Sequence, residues 1–189
     1  MEILHITRPA PLAGLDDIPM PSQDAERASA LVARCPVAAE TPLENAVAIA
    51  THAGVQDVWI KDERGRMGLG SFKALGAAYV IACDAQEGDV SGRTYVTASA
   101  GNHGMSVAAG ATAFGAASVV YIAQTVPESF AARLEAQGAQ VVRAGETYED
   151  SLAAAGQAAA DNGWDLLSDG SWQGYTDRPH RLMEGYTVL

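Results

Sequence analysis

Positive charge is scarce in this chain of 189 residues: 12 lysines and arginines stand against 23 aspartates and glutamates, for a formal net charge of −11. An acidic protein gains nothing from a nucleic-acid backbone or an anionic membrane surface, and no basic stripe interrupts the balance, so neither partner is expected. Cysteine is nearly absent. Cys35 and Cys83 have neither a C-x-x-C arrangement nor metal-ligand spacing, which fits reduced structural thiols in a cytoplasmic protein. The 4 histidines are scattered and give no zinc signature. The first residues lack a basic region followed by an apolar run, and Asp16 and Asp17 come soon after, so no secretion signal is expected. Internal repeats, low-complexity tracts and long linkers are also missing. Residues 105–123 carry no charge and are nearly long enough to span a bilayer, but Gly110 and Gly115 divide them into an alanine-rich helix and a buried strand.

What the chain does have is 48% hydrophobic residues, enough to bury a sizeable core. Residues 1–40 are proline-rich and read as a surface arm with one helix at about 24–33. Thr41-Pro42-Leu43 leads into a helix expected to end near Gly54, then come a strand at 58–61 and a glycine-rich bend into another helix. From there strands at 94–96, 118–122, 140–142 and 165–167 alternate with helices at 104–114, 127–137 and 148–162. Pro127 suits a first helical position, Gly138 a stop, and Thr147 with Asp150 a capping box. Such alternation predicts an α/β fold with an open, parallel, doubly wound sheet whose ligands lie at the carboxyl ends of the strands.

Two motifs fall where such ligands would sit. In Gly68-Leu69-Gly70-Ser71-Phe72-Lys73 a lysine follows a glycine-rich bend on the first turn of a helix. The positive end of the helix dipole and partial burial both disfavour its charged form, which predicts a lowered pKa and a nucleophilic amine able to form a Schiff base. In Thr97-Ala98-Ser99-Ala100-Gly101-Asn102-His103-Gly104 a small-residue turn joins a strand to a helix and offers a cradle for an anion or cofactor. Taken singly, each residue has a plainer reading. Lys73 could be a solvated lysine, Asn102 a left-handed turn residue, His103 a structural hydrogen-bonding side chain, and Asp169 the aspartate of an Asp-Gly turn.

Together, and in this order, the motifs resemble the fold type II pyridoxal-phosphate enzymes, the tryptophan synthase β-like family of threonine and serine dehydratases and diaminopropionate ammonia-lyases. The resemblance runs from about Thr41 to the end of the chain. It implies that Lys73, beside Phe72, holds pyridoxal 5′-phosphate, that Asn102 and Gly101 contact the cofactor ring, and that Ser99, Ala100, Gly101 and His103 border the substrate. A third stretch, Asp169-Gly170-Ser171-Trp172-Gln173-Gly174-Tyr175 followed by Met183-Glu184-Gly185-Tyr186, is similar to the ammonia-lyase branch and implies a catalytic role for Asp169. Two departures point toward the dehydratases: Ala100 where that branch has aspartate, and Gly70-Ser71-Phe72-Lys73 where it has Asn-Ala-Phe-Lys.

The activity so implied is elimination of the β-substituent of a small amino acid, most like 2,3-diaminopropionate going to pyruvate and ammonia. A serine, threonine or 3-hydroxyaspartate dehydratase is the alternative, and a non-catalytic remnant or partner-binding subunit is a third reading from another class. The resemblance also divides the chain: 1–40 as arm, 41–80 as the start of a large domain bearing the lysine, 81–168 as a small αβ domain, and 169–189 as the return to the large domain. No tetraglycine-type phosphate loop is present, and the last residues read as the inside of a helix. Both features suggest a truncated chain working as a homodimer or with a complementing C-terminal fragment.

Overall fold

The structure, a computed structural model, describes residues 20–189. Of the expected arm, residues 1–19 lie outside the described region. The rest includes helix α1 (Glu26–Val32), which is pinned rather than free: Ala28 is fully buried against Tyr79 and Cys83. Strand β1 (Leu43–Asn45) then pairs antiparallel with β2 (Trp59–Lys61), and helix α2 (Val47–Ala53) lies between them in sequence. The helix expected after Thr41-Pro42-Leu43 ends at Gly54 as read, but strand β1 precedes it. Residues 43–45 are too few to declare a strand by periodicity, and their conformation comes from pairing with β2.

After a 3₁₀ stretch at Glu63–Gly68, helix α3 (Ala74–Glu87) leads into the main sheet. Four parallel strands follow, β3 (Thr94–Ala98), β4 (Ala117–Ile122), β5 (Gln140–Arg143) and β6 (Asp165–Leu166), in the spatial order β5-β4-β3-β6. They alternate with α4 (Asn102–Ala113), α5 (Glu128–Ala136) and α6 (Tyr148–Asn162), and helix α7 (Asp177–Tyr186) comes last. The α6 bounds agree with the sequence reading, and the Thr147–Asp150 capping box is present in both directions. By contrast α7 closes at Tyr186, where Thr187 bonds back to the Glu184 carbonyl, instead of running on through the final residues.

Strand pleating sorts the core onto two faces. Tyr95, Val120 and Ile122 face helices α3, α4, α5 and α7, packing against Val80, Ile81, Val107, Leu134 and Leu182. Val96, Ala98 and Val119 face α6, where Ala155 and Leu152 cover them. The sheet is thus wound on both sides. The boundary expected at residue 80 falls inside α3, whose Ala77, Val80 and Ile81 share one cluster with Tyr95 and Val107. At the amino ends of β3 and β6, buried Asp84 accepts from Tyr95 at 2.9 Å and from Arg178 at 2.6 Å. Arg93 and Arg178 also reach Asp165, which clasps α3, β3, β6 and α7 together.

The strand order carries a consequence for function. Chain progression moves outward from β3 through β4 to β5, then returns to the other side of β3 with β6. The strand order thus reverses at β3, and in open parallel sheets ligands bind beyond the carboxyl ends of the strands at such a switch point.

Candidate active site

Lys73 is the N-cap of α3 and is set there by a loop that needs special conformations. Met67 is the one non-glycine residue with positive φ among the described residues, and Gly68 and Gly70 are left-handed too. Buried Arg66 holds this loop: its guanidinium donates to Glu63 Oε2 at 2.6 Å and to the Ala39 carbonyl at 2.8 Å. Across the crevice, Ser106 of α4 donates to the Lys73 carbonyl at 2.8 Å, which ties the lysine's backbone to the helix that follows β3.

The opposite wall is the turn after β6. Tyr175 braces it by donating to the Leu166 carbonyl at 3.0 Å while accepting from the Ser168 amide at 2.9 Å, and its ring stacks on Trp172 at 4.3 Å between centroids. His103, fully inside the first turn of α4, places Nε2 2.8 Å from the Leu167 carbonyl, so that nitrogen carries the proton and donates. Its Nδ1 has no partner among the described residues. Gly104 is required here by close packing, since a Cβ would lie 2.2 Å from the Ser99 carbonyl oxygen.

These walls bring Lys73 and Asp169 together. Lys73 Nζ donates to Asp169 Oδ2 at 2.9 Å, with the two side chains 29% and 30% exposed. Phe72 lies alongside, its ring centroid 5.7 Å from Nζ. Of the other expected site residues, Ser99, Ala100 and Gly101 form the turn after β3, where Ser99 Oγ accepts from the Gly101 amide at 3.3 Å. Asn102 is exposed as the first residue of α4. One residue the sequence reading left without a role also belongs here. Tyr186 of α7 packs edge-on against Phe72 at 5.2 Å, and its ring centroid is 5.7 Å from Lys73 Nζ.

The electrostatics correct one expectation. Burial does push the Lys73 amine down, as predicted, but the hydrogen bond it donates to Asp169 and the influence of Tyr186 and Asp169 outweigh it and hold the amine above its ordinary value. Burial likewise opposes ionisation of Asp169, yet the adjacent His103 and Lys73 hold that carboxyl below its ordinary value. Burial pushes His103 down, while the Asp169 charge and the Leu167 carbonyl oppose that shift. The resting pair is therefore ammonium and carboxylate.

The site thus sets a lysine and an acid face to face beside a glycine turn that opens a helix. The family model described as "Pyridoxal-phosphate dependent enzyme" matches residues 35–187. The chain belongs to that family. Within it, the chain is 31% identical over 176 residues to the diaminopropionate ammonia-lyase of Salmonella typhimurium, covering 82% of this chain and 44% of that protein. It is 30% identical over 150 residues to a mouse L-serine dehydratase/L-threonine deaminase, covering 77% and 44%. Among solved structures of the family, Escherichia coli diaminopropionate ammonia-lyase in complex with an aminoacrylate–PLP azomethine intermediate superposes with a TM-score of 0.81 at 31% identity, over 87% of this chain and 45% of that one. The chain thus spans less than half the length of the curated relatives it matches.

Proposed function

We propose that this chain supplies the lysine-bearing part of a pyridoxal-phosphate-dependent lyase that eliminates the β-substituent of a small amino acid, most like 2,3-diaminopropionate giving pyruvate and ammonia. The observation that carries the reading is the Lys73–Asp169 pair at 2.9 Å across the switch point of the parallel sheet.

The residues present fit the cofactor. Space in front of Gly101 is open, with nothing within 4 Å of where a Cβ would stand, and Lys73 presents an amine beside the apolar rings of Phe72 and Tyr186. In this reading Lys73 holds the cofactor aldehyde, and Asn102 and Gly101 meet its ring. When bound, pyridoxal phosphate supplies an electron sink for the pair left at the substrate α-carbon. Ser99, Ala100 and Gly101 border the substrate carboxylate, where first-turn amides of α4 favour an anion. His103 lines that border from beneath and keeps the turn after β6 in place. Lys73 or Asp169 takes the α-proton. Pairing with Asp169 stores the lysine as an ammonium; parting the two removes one of the influences that oppose burial, and burial favours the neutral, nucleophilic amine.

A dehydratase of serine, threonine or 3-hydroxyaspartate is the second reading, supported by Ala100 in the turn and by the mouse relative. With Asp169 as the single carboxylate of the motif pair, the L isomer is the expected substrate. In this reading residues 81–168 form a small domain, while 41–80 and 169–189 enter and leave a larger one. The partner in this reading is a second copy of the chain or a complementing C-terminal fragment, and the protein works in the cytoplasm. The two cysteines are free, and no helix among the described residues is long and apolar enough to cross a membrane.

Incubation with pyridoxal phosphate, borohydride reduction and peptide mapping tests the assignment. The label should sit on Lys73 and vanish in Lys73→Ala; a label on Lys61 instead overturns it. Pyruvate release from diaminopropionate and from serine, assayed with each enantiomer, separates the two readings.

A further inference from the structure

The Met183-Glu184-Gly185-Tyr186 run is accounted for by none of the roles above, yet two glycines are spent on seating its tyrosine. Gly76 sits inside α3, where glycine costs about 1 kcal/mol relative to alanine. A Cβ there would lie 2.5 Å from Tyr186 Oη and 2.7 Å from its ring. Gly185 lets α7 touch α3, since its Cβ would come within 2.2 Å of the Leu75 carbonyl oxygen. The ring that fits this slot meets Phe72 edge-on and stands beside Lys73. Its hydroxyl is buried and has no hydrogen-bond partner among the described residues. A buried, unpartnered hydroxyl is costly, and the Lys73 amine, 5.7 Å from the ring centroid, is a mobile donor that already bears on the phenol.

We propose that Tyr186 is a positioning residue for Lys73: when Asp169 is drawn away, Tyr186 Oη is the second oxygen that receives a Lys73 N–H, so the amine moves between two fixed anchors. This rests on the reading of Lys73 as the site's amine. Burial keeps the phenol protonated, against the pull of the Lys73 charge, so it presents a neutral lone pair to the ammonium. The groups bearing on Lys73 are Asp169 after β6, Tyr186 of α7, His103 of α4 and Tyr148 of α6.

The test needs no cofactor, so it is independent of whether pyridoxal phosphate binds. Competitive labelling of the folded chain with acetic anhydride, read by peptide mapping, reports the fraction of neutral Lys73 amine at each pH. Tyr186→Phe keeps the ring and removes the acceptor. At a fixed pH below the Lys73 midpoint its labelling should rise by roughly ten-fold, the low end of what a hydrogen bond to a charged group is worth, and more in an Asp169→Asn background. An unchanged or slower rate in both backgrounds overturns the proposal, because a purely structural tyrosine would leave the titration alone. Should the phenylalanine variant fail to fold, the unaltered chain with carbon-13 at tyrosine Cζ gives the same answer. The Tyr186 resonance should follow the Lys73 titration while that of Tyr121 does not, and a Tyr186 signal indifferent to Lys73 overturns the assignment.

Discussion

The four-stranded layer and the small layer of β1, β2 and α2 are built from similarly apolar sequence but reach opposite ends of burial. In the former, Tyr95, Val96, Val120, Ile122 and Leu134 are nearly or fully buried, and helices cover both faces. In the latter, Leu43, Val47, Ile49, Trp59 and Ile60 are all exposed, and Ala50 is the one buried residue of α2. Apolar content alone does not make a core. The parallel layer closes because each crossover returns a helix to the sheet, whereas the hairpin-like layer has one pairing and, among the described residues, leaves its apolar side chains exposed.

The comparison can be broken most severely at the clasp beneath the parallel layer. Asp84→Asn leaves Arg93, Arg178 and Arg181 around a neutral amide in a site where the side chain is 5% exposed, and should cost about 3–5 kcal/mol in denaturant unfolding. Next, Leu134→Ala in the packed layer should cost about 2–5 kcal/mol while Trp59→Ser in the small layer stays within about 0.5 kcal/mol. Equal losses would show that the small layer is not the independent, weakly held region described. Thr147→Ala removes one half of the capping box of α6 and should cost about 1 kcal/mol, seen as a lower unfolding midpoint without change in its slope.

The smallest effect belongs to the site itself. Asp169 is depressed below its ordinary value of 3.8, so its contribution is present above that value and lost as pH falls through the folded-state pKa. Lys73 is raised above 10.5, so its contribution is present below that value and lost as pH rises past the folded-state pKa. Asp169→Asn should therefore lower stability by under about 1 kcal/mol between those limits, given the part-exposed pair, and the two unfolding curves should converge at either extreme. A difference that persists in strong acid would contradict the ion pair.

Local signals explain which parts were readable beforehand. Thr147 with Asp150, and the β-formers Val119, Val120, Tyr121 and Ile122, each act within a few residues, so α6 and the parallel strands follow from the chain text. Strand β1 depends on a partner sixteen or so residues away and carries no periodicity of its own. Lys73 and Asp169 could be found as motif residues. The direction of the Lys73 shift could not, because its partner lies far along the chain and only the fold sets 2.9 Å between them. Tyr186 and Arg66 escaped for the same reason. A glycine within an otherwise alanine-rich α3, at Gly76, was the available hint that another element presses on that helix.

Strand β6 is two residues long and borders the sheet, joined to β3 through Tyr95–Asp165 and Val96–Leu166 and extended by the Leu167 amide on the Val96 carbonyl at 2.8 Å. Lys73, in contrast, caps a helix buried along nearly its whole length. Local openings start where the fewest bonds must break, and their free energy is smallest at such a border. The two charges of the site thus ride on segments of unequal persistence. Amide protons from Asp165 to Gly170 should be replaced by solvent deuterium long before those of Leu75 to Ile81. Fluctuation takes the acid away and leaves the amine in place, so access to the crevice is timed by the end of the sheet and not by the helix.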